Sequence, residues 1–106
     1  MKYRKPNNVG VYSDRWAEKL VFEHGTTRSE IALLEIAPGK WADAIHVTFA
    51  NCGMGEPLMD INSQDTRGAA LLKAINHLVS YCGKQGDPDA PRVISWANSK
   101  KQMRLF

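Results

Sequence analysis

Three consecutive segments with the periodicity of β-strands constrain the fold of this chain more than any other feature. They comprise residues 15–24, 29–37 and 41–50. In the first and third segments, apolar side chains alternate with polar or small ones, which is typical of strands with one buried face. The middle segment is apolar on both faces, which suits a central strand, although a helix remains an alternative there. Turn signals at residues 25–27 and at Pro38 and Gly39 join the segments, so the pattern predicts an antiparallel β-meander.

A helix is predicted after the meander. Ser63 or Asp65 is a suitable N-cap, and Gly83 stands where a left-handed C-cap belongs. The apolar stripe between these ends consists of Ala69, Leu72, Ile75, Leu78, Val79 and Cys82. Because a lone helix of about 18 residues is only marginally stable in water, we expect this stripe to pack on the sheet.

The other segments complete an α+β fold with the order β-β-β-(β)-α-β. Residues 51–57 contain two glycines and a proline, which predicts a loop, and residues 58–61 suit a short fourth strand. Residues 92–97 are predicted to form a last strand or an extended segment along an edge. An antiparallel sheet of four to five strands would then carry one main helix on one face. Its second face is predicted to be uncovered, which makes a homodimer plausible. That face would carry Ala42, Ala44, His46, Thr48 and Ala50.

Length and composition predict one folded domain. The chain has 106 residues, of which 43% are hydrophobic and 24% charged, enough for a single modest core. We assign residues 1–13 to a basic N-terminal arm, residues 14–97 to the domain and residues 98–106 to a basic tail. No apolar run approaches the roughly 20 residues of a membrane helix, and no apolar stretch follows the basic start. We therefore expect no signal peptide, no membrane contact, a cytoplasmic location and two free cysteines.

The formal net charge of +3 is unevenly distributed. All 11 acidic residues lie between Asp14 and Asp89, and residues 14–92 carry 8 basic residues, which gives that part a charge of about −3 (8 − 11). The two ends supply the remaining six positive charges. These are Lys2, Arg4, Lys5, Lys100, Lys101 and Arg104. Basic ends on a weakly acidic body suit contact with phosphates or with an acidic protein surface.

Aromatic residues near the basic ends raise the hypothesis of a single-stranded nucleic-acid-binding module. They are Tyr3, Tyr12, Trp16 and Trp96. An aromatic face stacks a base for about 1–3 kcal/mol while neighbouring cations hold phosphates. The predicted contact residues are Lys2, Arg4, Lys5, Trp96, Lys100, Lys101 and Arg104. Trp16, at strand spacing, is predicted to lie in the core, and no RRM, KH, zinc-finger or helix-turn-helix signature is present.

Residues 102–106 place two large apolar side chains behind a polar, basic run. Burial of a Leu or Phe side chain is worth about 1.5–3 kcal/mol, so Leu105 and Phe106 are expected to pack either on their own domain or in a partner's pocket. Gln102, Met103, Leu105 and Phe106 resemble the short peptide with which many bacterial proteins dock on the replication sliding clamp.

The resemblance implies an extended peptide whose glutamine makes polar contacts while Leu105 and Phe106 fill an apolar pocket. Met103 takes the place of the usual leucine. This favours a small non-enzymatic adaptor or inhibitor of DNA replication or repair machinery, of a size and build that suit a phage or mobile-element protein. It is the leading functional hypothesis from the sequence.

Patterns for catalysis and metal binding are weak. Cys52 and Cys82 are 30 positions apart, and the three histidines show no paired ligand spacing. No metal site and no cofactor are therefore predicted. A nucleophile pair formed by Cys52 and His46 is the remaining enzymatic alternative.

Overall fold

A computed structural model describes the backbone of residues 3–105 and the side chains of residues 3–102. Its elements are β1 (Val11–Tyr12), a 3₁₀ turn (Asp14–Trp16), β2 (Glu18–His24), β3 (Thr27–Ala37), β4 (Lys40–Thr48), β5 (Gly53–Gly55), β6 (Leu58–Met59), α1 (Arg67–Gly83), α2 (Ala90–Ser99) and a 3₁₀ helix (Lys100–Leu105). The main sheet is antiparallel with the strand order β2-β3-β4-β5, and β1 pairs with β6 in a separate two-stranded sheet. The predicted α+β class with an antiparallel meander is confirmed.

Both meander turns contain a glycine in the left-handed region. Gly25 has φ +60° in the turn between β2 and β3, and Gly39 has φ +72° in the turn between β3 and β4. Other residues are strained at such angles. The turns pair His24 with Thr27 and Ala37 with Lys40, and these pairs set the register of the two long hairpins.

Helices α1 and α2 cover one face of the main sheet, and the larger hydrophobic core lies between these layers. The most deeply buried large side chains of this core are Ile31, Leu33, Ile45, Val47, Leu71, Ile75, Leu78 and Val93. The buried face of α1 is rotated relative to the predicted stripe. Leu71 and Ala74 are fully buried, whereas Ala69 is exposed and Leu72 only half-buried.

The ends of α1 also differ from prediction. Thr66, rather than Ser63 or Asp65, is the N-cap, and its hydroxyl accepts a 3.0 Å hydrogen bond from the Ala69 N–H. Gly83 does not adopt the left-handed conformation predicted for the C-cap. Instead, 3₁₀-type hydrogen bonds between residues three apart, such as that from the Lys84 N–H to the Tyr81 carbonyl, close the last turn. In the part of the chain that the structure describes, no helix is both long and apolar enough to cross a membrane.

The second face of the main sheet is not uncovered as predicted. Ala42 and Ala44 are buried there in a smaller cluster that includes Leu58 of β6 and is flanked by Tyr12 of β1. The small side chains allow the β1–β6 pair to lie close to the sheet. Thr48 and Ala50 remain exposed, and His46 is half-exposed. The alanine face therefore packs within its own chain, which removes the basis on which the homodimer was predicted.

Residues 51–57 are not only a loop, because Gly53–Gly55 form β5 at the edge next to β4. Glycine is needed there for a close approach: a Cβ on Gly53 would lie 2.6 Å from the Val47 carbonyl oxygen. The short strand predicted in residues 58–61 exists as β6, but it pairs with β1 and not with the main sheet.

The last strand predicted in residues 92–97 is wrong, since this segment belongs to α2. Pro91 occupies the first turn, where a proline favours a helix. The buried residues Ala90, Val93 and Ala97 follow helical spacing. Over these six positions, Ile94, Ser95 and Trp96 alternate as in a strand, whereas Val93 and Ala97 are spaced as on one face of a helix. So short a segment does not separate the two periods.

Candidate nucleic-acid interface

Trp96 of α2 and Phe22 of β2 form a pair of aromatic rings at the surface. Their ring centroids are 5.8 Å apart with an interplanar angle of 37°. Both rings pack against the larger core and are only half-buried. They form one side of an open depression of about 500 Å³ that His24, Pro91, Arg92 and Ser95 complete. Aromatic rings held in place next to polar side chains are suited to bind a planar ligand.

Positive charge surrounds this depression. The Lys100 ammonium lies 6.0 Å from the centroid of the Trp96 ring, and the Arg92 side chain is 59% exposed. Lys101, which follows Lys100 in the chain, is also exposed. We refer to Phe22, His24, Arg92, Ser95, Trp96 and Lys100 as the Trp96 surface. The structure thus brings together two of the residues predicted to contact nucleic acid, Trp96 and Lys100.

Asp89 anchors the polar side of the Trp96 surface. The buried Thr27 hydroxyl donates a 2.7 Å hydrogen bond to Asp89 Oδ2, and His24 Nδ1 lies 3.3 Å from Oδ1. The hydrogen bond from Thr27, followed by the nearby His24 and Arg92, lowers the pKa of Asp89 below its ordinary value. Its carboxylate is therefore ionised and fixes the His24 ring, and Arg92 Nε lies 3.5 Å from the same Oδ1.

A second aromatic and basic cluster lies at the other end of β2. Trp16 is 54% exposed, so its predicted place in the core is wrong. The guanidinium of Arg4 lies 4.4 Å from the Trp16 centroid and that of Arg15 lies 5.1 Å away. The four residue steps from Glu18 to Phe22 rise by about 13 Å along β2, and Trp16 lies before Glu18 in the 3₁₀ turn. Arg4 is therefore held near an aromatic ring, but far from the Trp96 surface.

The remaining predicted contact residues are placed as follows. Lys5 is exposed and lies in a shallow depression that Tyr12 also lines. Gln102 is exposed at the 3₁₀ helix that follows α2. Lys2 and Phe106 lie outside the described residues, and so do the side chains of Met103, Arg104 and Leu105.

The structure does not bring Cys52 and His46 together. Cys52 lies on the helix side of the sheet, where its Sγ is 3.5 Å from Gln85 Oε1. His46 points to the opposite face, with Nδ1 3.8 Å from Glu30 Oε2. Both cysteines are free, and burial raises the pKa of the Cys82 thiol to about 11. A thiol with so high a pKa is a poor nucleophile at neutral pH.

A titratable cluster that the sequence analysis missed lies beside α1. Lys73 Nζ is 3.2 Å from Asp43 Oδ1, and His77 Nδ1 is 2.9 Å from Glu56 Oε2. Burial raises the pKa of Asp43 despite the nearby Lys73. The i,i+4 spacing of Lys73 and His77 places them on one side of α1. Their partners are Asp43 of β4 and Glu56 in the loop after β5, and the sequence did not specify that these residues lie beside α1. Within residues 3–105, no three His, Cys, Asp or Glu side chains are grouped so that they could hold a metal ion.

The chain matches no protein-family model and no curated protein, and its fold matches no solved structure.

Proposed function

We propose that this protein is a non-enzymatic binding protein that holds single-stranded nucleic acid on the Trp96 surface. The observation that carries the proposal is a half-buried tryptophan that packs on Phe22 and has Lys100 6.0 Å from its ring. Stacking of a base on such a ring tolerates any sequence and is worth about 1–3 kcal/mol. Lysine and arginine beside the ring then contact the flanking phosphates.

Arg92 supports this interpretation because 59% of its side chain remains exposed although it contacts Asp89. Nε faces Asp89 at 3.5 Å, and a guanidinium has four further N–H donors that suit phosphate oxygens. Asp89 also holds the His24 ring in place. The polar side of the surface is therefore ordered before a ligand binds, which lowers the entropy cost of binding.

Binding of a fluorescent oligothymidine, measured by anisotropy at low salt, tests the proposal. Trp96→Ala is expected to raise Kd about 5- to 100-fold, in line with one lost stacking interaction. Trp96→Phe should retain most of the affinity because an aromatic face remains. Lys40→Gln is a matched control, since this exposed lysine lies at the other end of the β3–β4 hairpin from Thr27. Equal affinities for the wild type and Trp96→Ala would exclude this surface.

The salt dependence of binding tests the role of the cations. Each phosphate contact on a single strand contributes about −0.7 to the slope of log K against log salt. Arg92→Gln and Lys100→Gln should each make the slope shallower by about that amount, whereas Lys40→Gln should leave it unchanged. A wild-type affinity that does not respond to salt would contradict phosphate contacts.

A second candidate function is docking on a bacterial sliding clamp, as an adaptor or inhibitor of DNA replication or repair. Its support is the resemblance of residues 102–106 to the clamp-binding peptide, together with the exposed side chain of Gln102. Residues 102–105 of this peptide belong to the 3₁₀ helix that follows α2, so they lie close in sequence to the Trp96 surface. The two functions require different side chains and can be separated by substitution.

Capture of the protein on an immobilised bacterial sliding clamp tests this second function. The double variant Leu105→Ala, Phe106→Ala should lose capture, while Lys101→Ala, a neighbouring change outside the motif, should retain it. The double variant should also keep the thermal melting temperature of the wild type. A fall of many degrees would instead show that these side chains belong to the protein's own core.

A further inference from the structure

Strand β2 is a long, accessible edge of the main sheet. Among the strands that the structure describes, it pairs only with β3, in an uninterrupted register from Glu18 to His24. All seven residues of β2 are exposed or half-buried, and Val21 is 41% exposed. Natural proteins commonly protect such an edge with charges, prolines or bulges. In β2 the charges are of both signs, and the strand contains no proline and no bulge.

The hydrogen-bond pattern shows which backbone groups this edge offers. His24 and Thr27 close a two-residue turn and pair directly, so alternate residues of β2 from His24 backwards direct their N–H and C=O groups toward β3. The intervening residues Lys19, Val21 and Glu23 direct theirs outward. Among the described residues, no backbone bond outside the helices and strands involves these three.

We propose that two copies of this chain pair through β2 in an antiparallel dimer, with the two-fold axis at Val21. The two four-stranded sheets would then form one continuous sheet of eight strands. Such an interface is isologous, so each contact occurs twice and the assembly closes at two copies. The proposal does not depend on the nucleic-acid function.

Side-chain complementarity in this register carries the argument. With Val21 opposite the partner's Val21, Lys19 lies opposite the partner's Glu23 and Leu20 opposite the partner's Phe22. Glu18 lies opposite the partner's His24. The interface then contains two Lys19–Glu23 pairs and two Leu20–Phe22 pairs, related by the two-fold axis, and the two Val21 side chains face one another on that axis. Opposite-charge and apolar pairs of this kind stabilise antiparallel strands.

Other registers lose this match. A shift of the partner by two residues in one direction places Lys19 opposite the partner's Val21. A shift by two residues in the other direction places Val21 opposite the partner's Glu23. In both registers, charged side chains lie opposite apolar ones. A shift of one residue pairs residues whose N–H and C=O groups point away from β3 with residues whose groups point toward β3, so the hydrogen bonds between the two copies cannot form. The sequence of β2 thus favours one antiparallel register.

The existing ion pairs of Lys19 and Glu23 leave these two charges available to a partner. Lys19 Nζ lies 3.3 Å from Asp14, with 36% of the lysine side chain exposed, and Glu23 is 69% exposed at 3.9 Å from Arg28. These are solvated pairs, which are weak. A partner's opposite charge can join them without removing a buried contact.

Charge reversal provides the test, with the oligomeric state measured by sedimentation equilibrium. The wild type is expected to dimerise. Lys19→Glu and Glu23→Lys should each raise the dimer Kd about ten- to a hundredfold, because each places like charges opposite one another twice. The double variant Lys19→Glu, Glu23→Lys should recover the dimer. Lys40→Glu, with the same charge change away from β2, should behave as the wild type.

A mixture of the two single variants gives the sharpest outcome. One variant then carries two glutamates and the other two lysines along the paired edge, so a heterodimer should form although neither variant dimerises strongly alone. Circular dichroism confirms that each variant is folded. A wild type that remains monomeric at its highest soluble concentration would overturn the proposal, as would a dimer that both single variants leave unchanged.

Discussion

The two faces of the main sheet are buried in different ways. On the helix face, large side chains such as Ile31 and Ile45 meet Leu71 and Ile75 of α1. On the opposite face, Ala32, Ala42 and Ala44 lie under a pair of two-residue strands. The larger side chains of the helix face interdigitate with those of two helices. The alanines of the opposite face let extended chain lie close to the sheet, next to the buried Leu34 and Ile36.

The largest expected effect comes from truncating the helix-face core. Ile75→Ala should destabilise the protein by about 2–5 kcal/mol, because Ile75 is fully buried among well-packed neighbours. Leu58→Ala on the opposite face should fall at the lower end of that range, since the short β1–β6 pair can settle toward the alanines. Urea denaturation measures both. Equal losses would show that the two faces are equally rigid.

Alkaline titration probes the helix face through Cys82. Its pKa is raised from 9.0 to about 11 by burial, so the folded state keeps a neutral thiol that the unfolded state ionises. The associated stability is fully present below pH 9 and is lost as the pH rises toward 11, by about 2–3 kcal/mol.

Cys82→Ala should remove this part of the alkaline loss. Cys52→Ala, at an exposed thiol, should leave most of it, because burial is the larger cause of the raised Cys82 pKa and the charge of Cys52 the smaller one. Chemical denaturation at a series of alkaline pH values provides the measurement. A pH dependence that is the same in Cys82→Ala as in the wild type would show that the thiol is not protected by the core.

Two glycines of β5 test how closely the chain packs on the opposite face. A Cβ on Gly53 would lie 2.6 Å from the backbone oxygen of Val47, whereas a Cβ on Gly55 would lie 2.6 Å from Cδ2 of the His46 ring. The half-exposed ring can move and the backbone cannot. Gly53→Ala should therefore cost about 1–3 kcal/mol and Gly55→Ala less than about 1 kcal/mol. Thermal melting compares them, and the reverse order would contradict a rigid β4–β5 pair.

The smallest effect is expected at the surface ion pair that links β2 to α1. The Arg67 guanidinium forms two hydrogen bonds with Glu18, one of them 2.8 Å long, and these lower the Glu18 pKa below 4.5. The associated stability is present above pH 4.5 and is lost as the pH falls through the lowered pKa.

Because both side chains are partly solvated, Glu18→Gln should cost under about 1 kcal/mol at pH 7. Its stability curve should also be flatter than that of the wild type in mild acid. A loss as large as that of Ile75→Ala would show that this pair holds α1 on the sheet.

The local part of the fold was predictable from sequence. The turns at Gly25 and Gly39 and the long strands have short-range signals, and all were found. The β1–β6 pairing joins residues almost fifty positions apart, and the two-residue strands Val11–Tyr12 and Leu58–Met59 are too short for a periodic signal. Shortness also explains the wrong prediction at α2. Six residues, 92–97, were too few to separate helical from strand periodicity, and Pro91 was the signal that favoured a helix.

Only the residues of the candidate site that lie on α2 or directly after it were predictable from the sequence. Trp96 and Lys100 are four positions apart, and their charge and aromatic character were visible in the sequence. Phe22 and Asp89 reach the same surface only through tertiary packing. Asp89, for example, accepts its hydrogen bond from Thr27, which is 62 positions away in the sequence. Trp16 appeared apolar and strand-like, but the 3₁₀ turn before β2 directs it into solvent.

The unequal edges of the main sheet determine how far it can grow. β2 offers seven residues, whereas β5 offers three, two of them glycines, and is followed within two positions by Pro57, which has no N–H to donate. Strand addition at β2 therefore leaves no comparable edge for a third molecule. In the proposed dimer, this geometry would stop strand addition at two copies and so disfavour open-ended fibres.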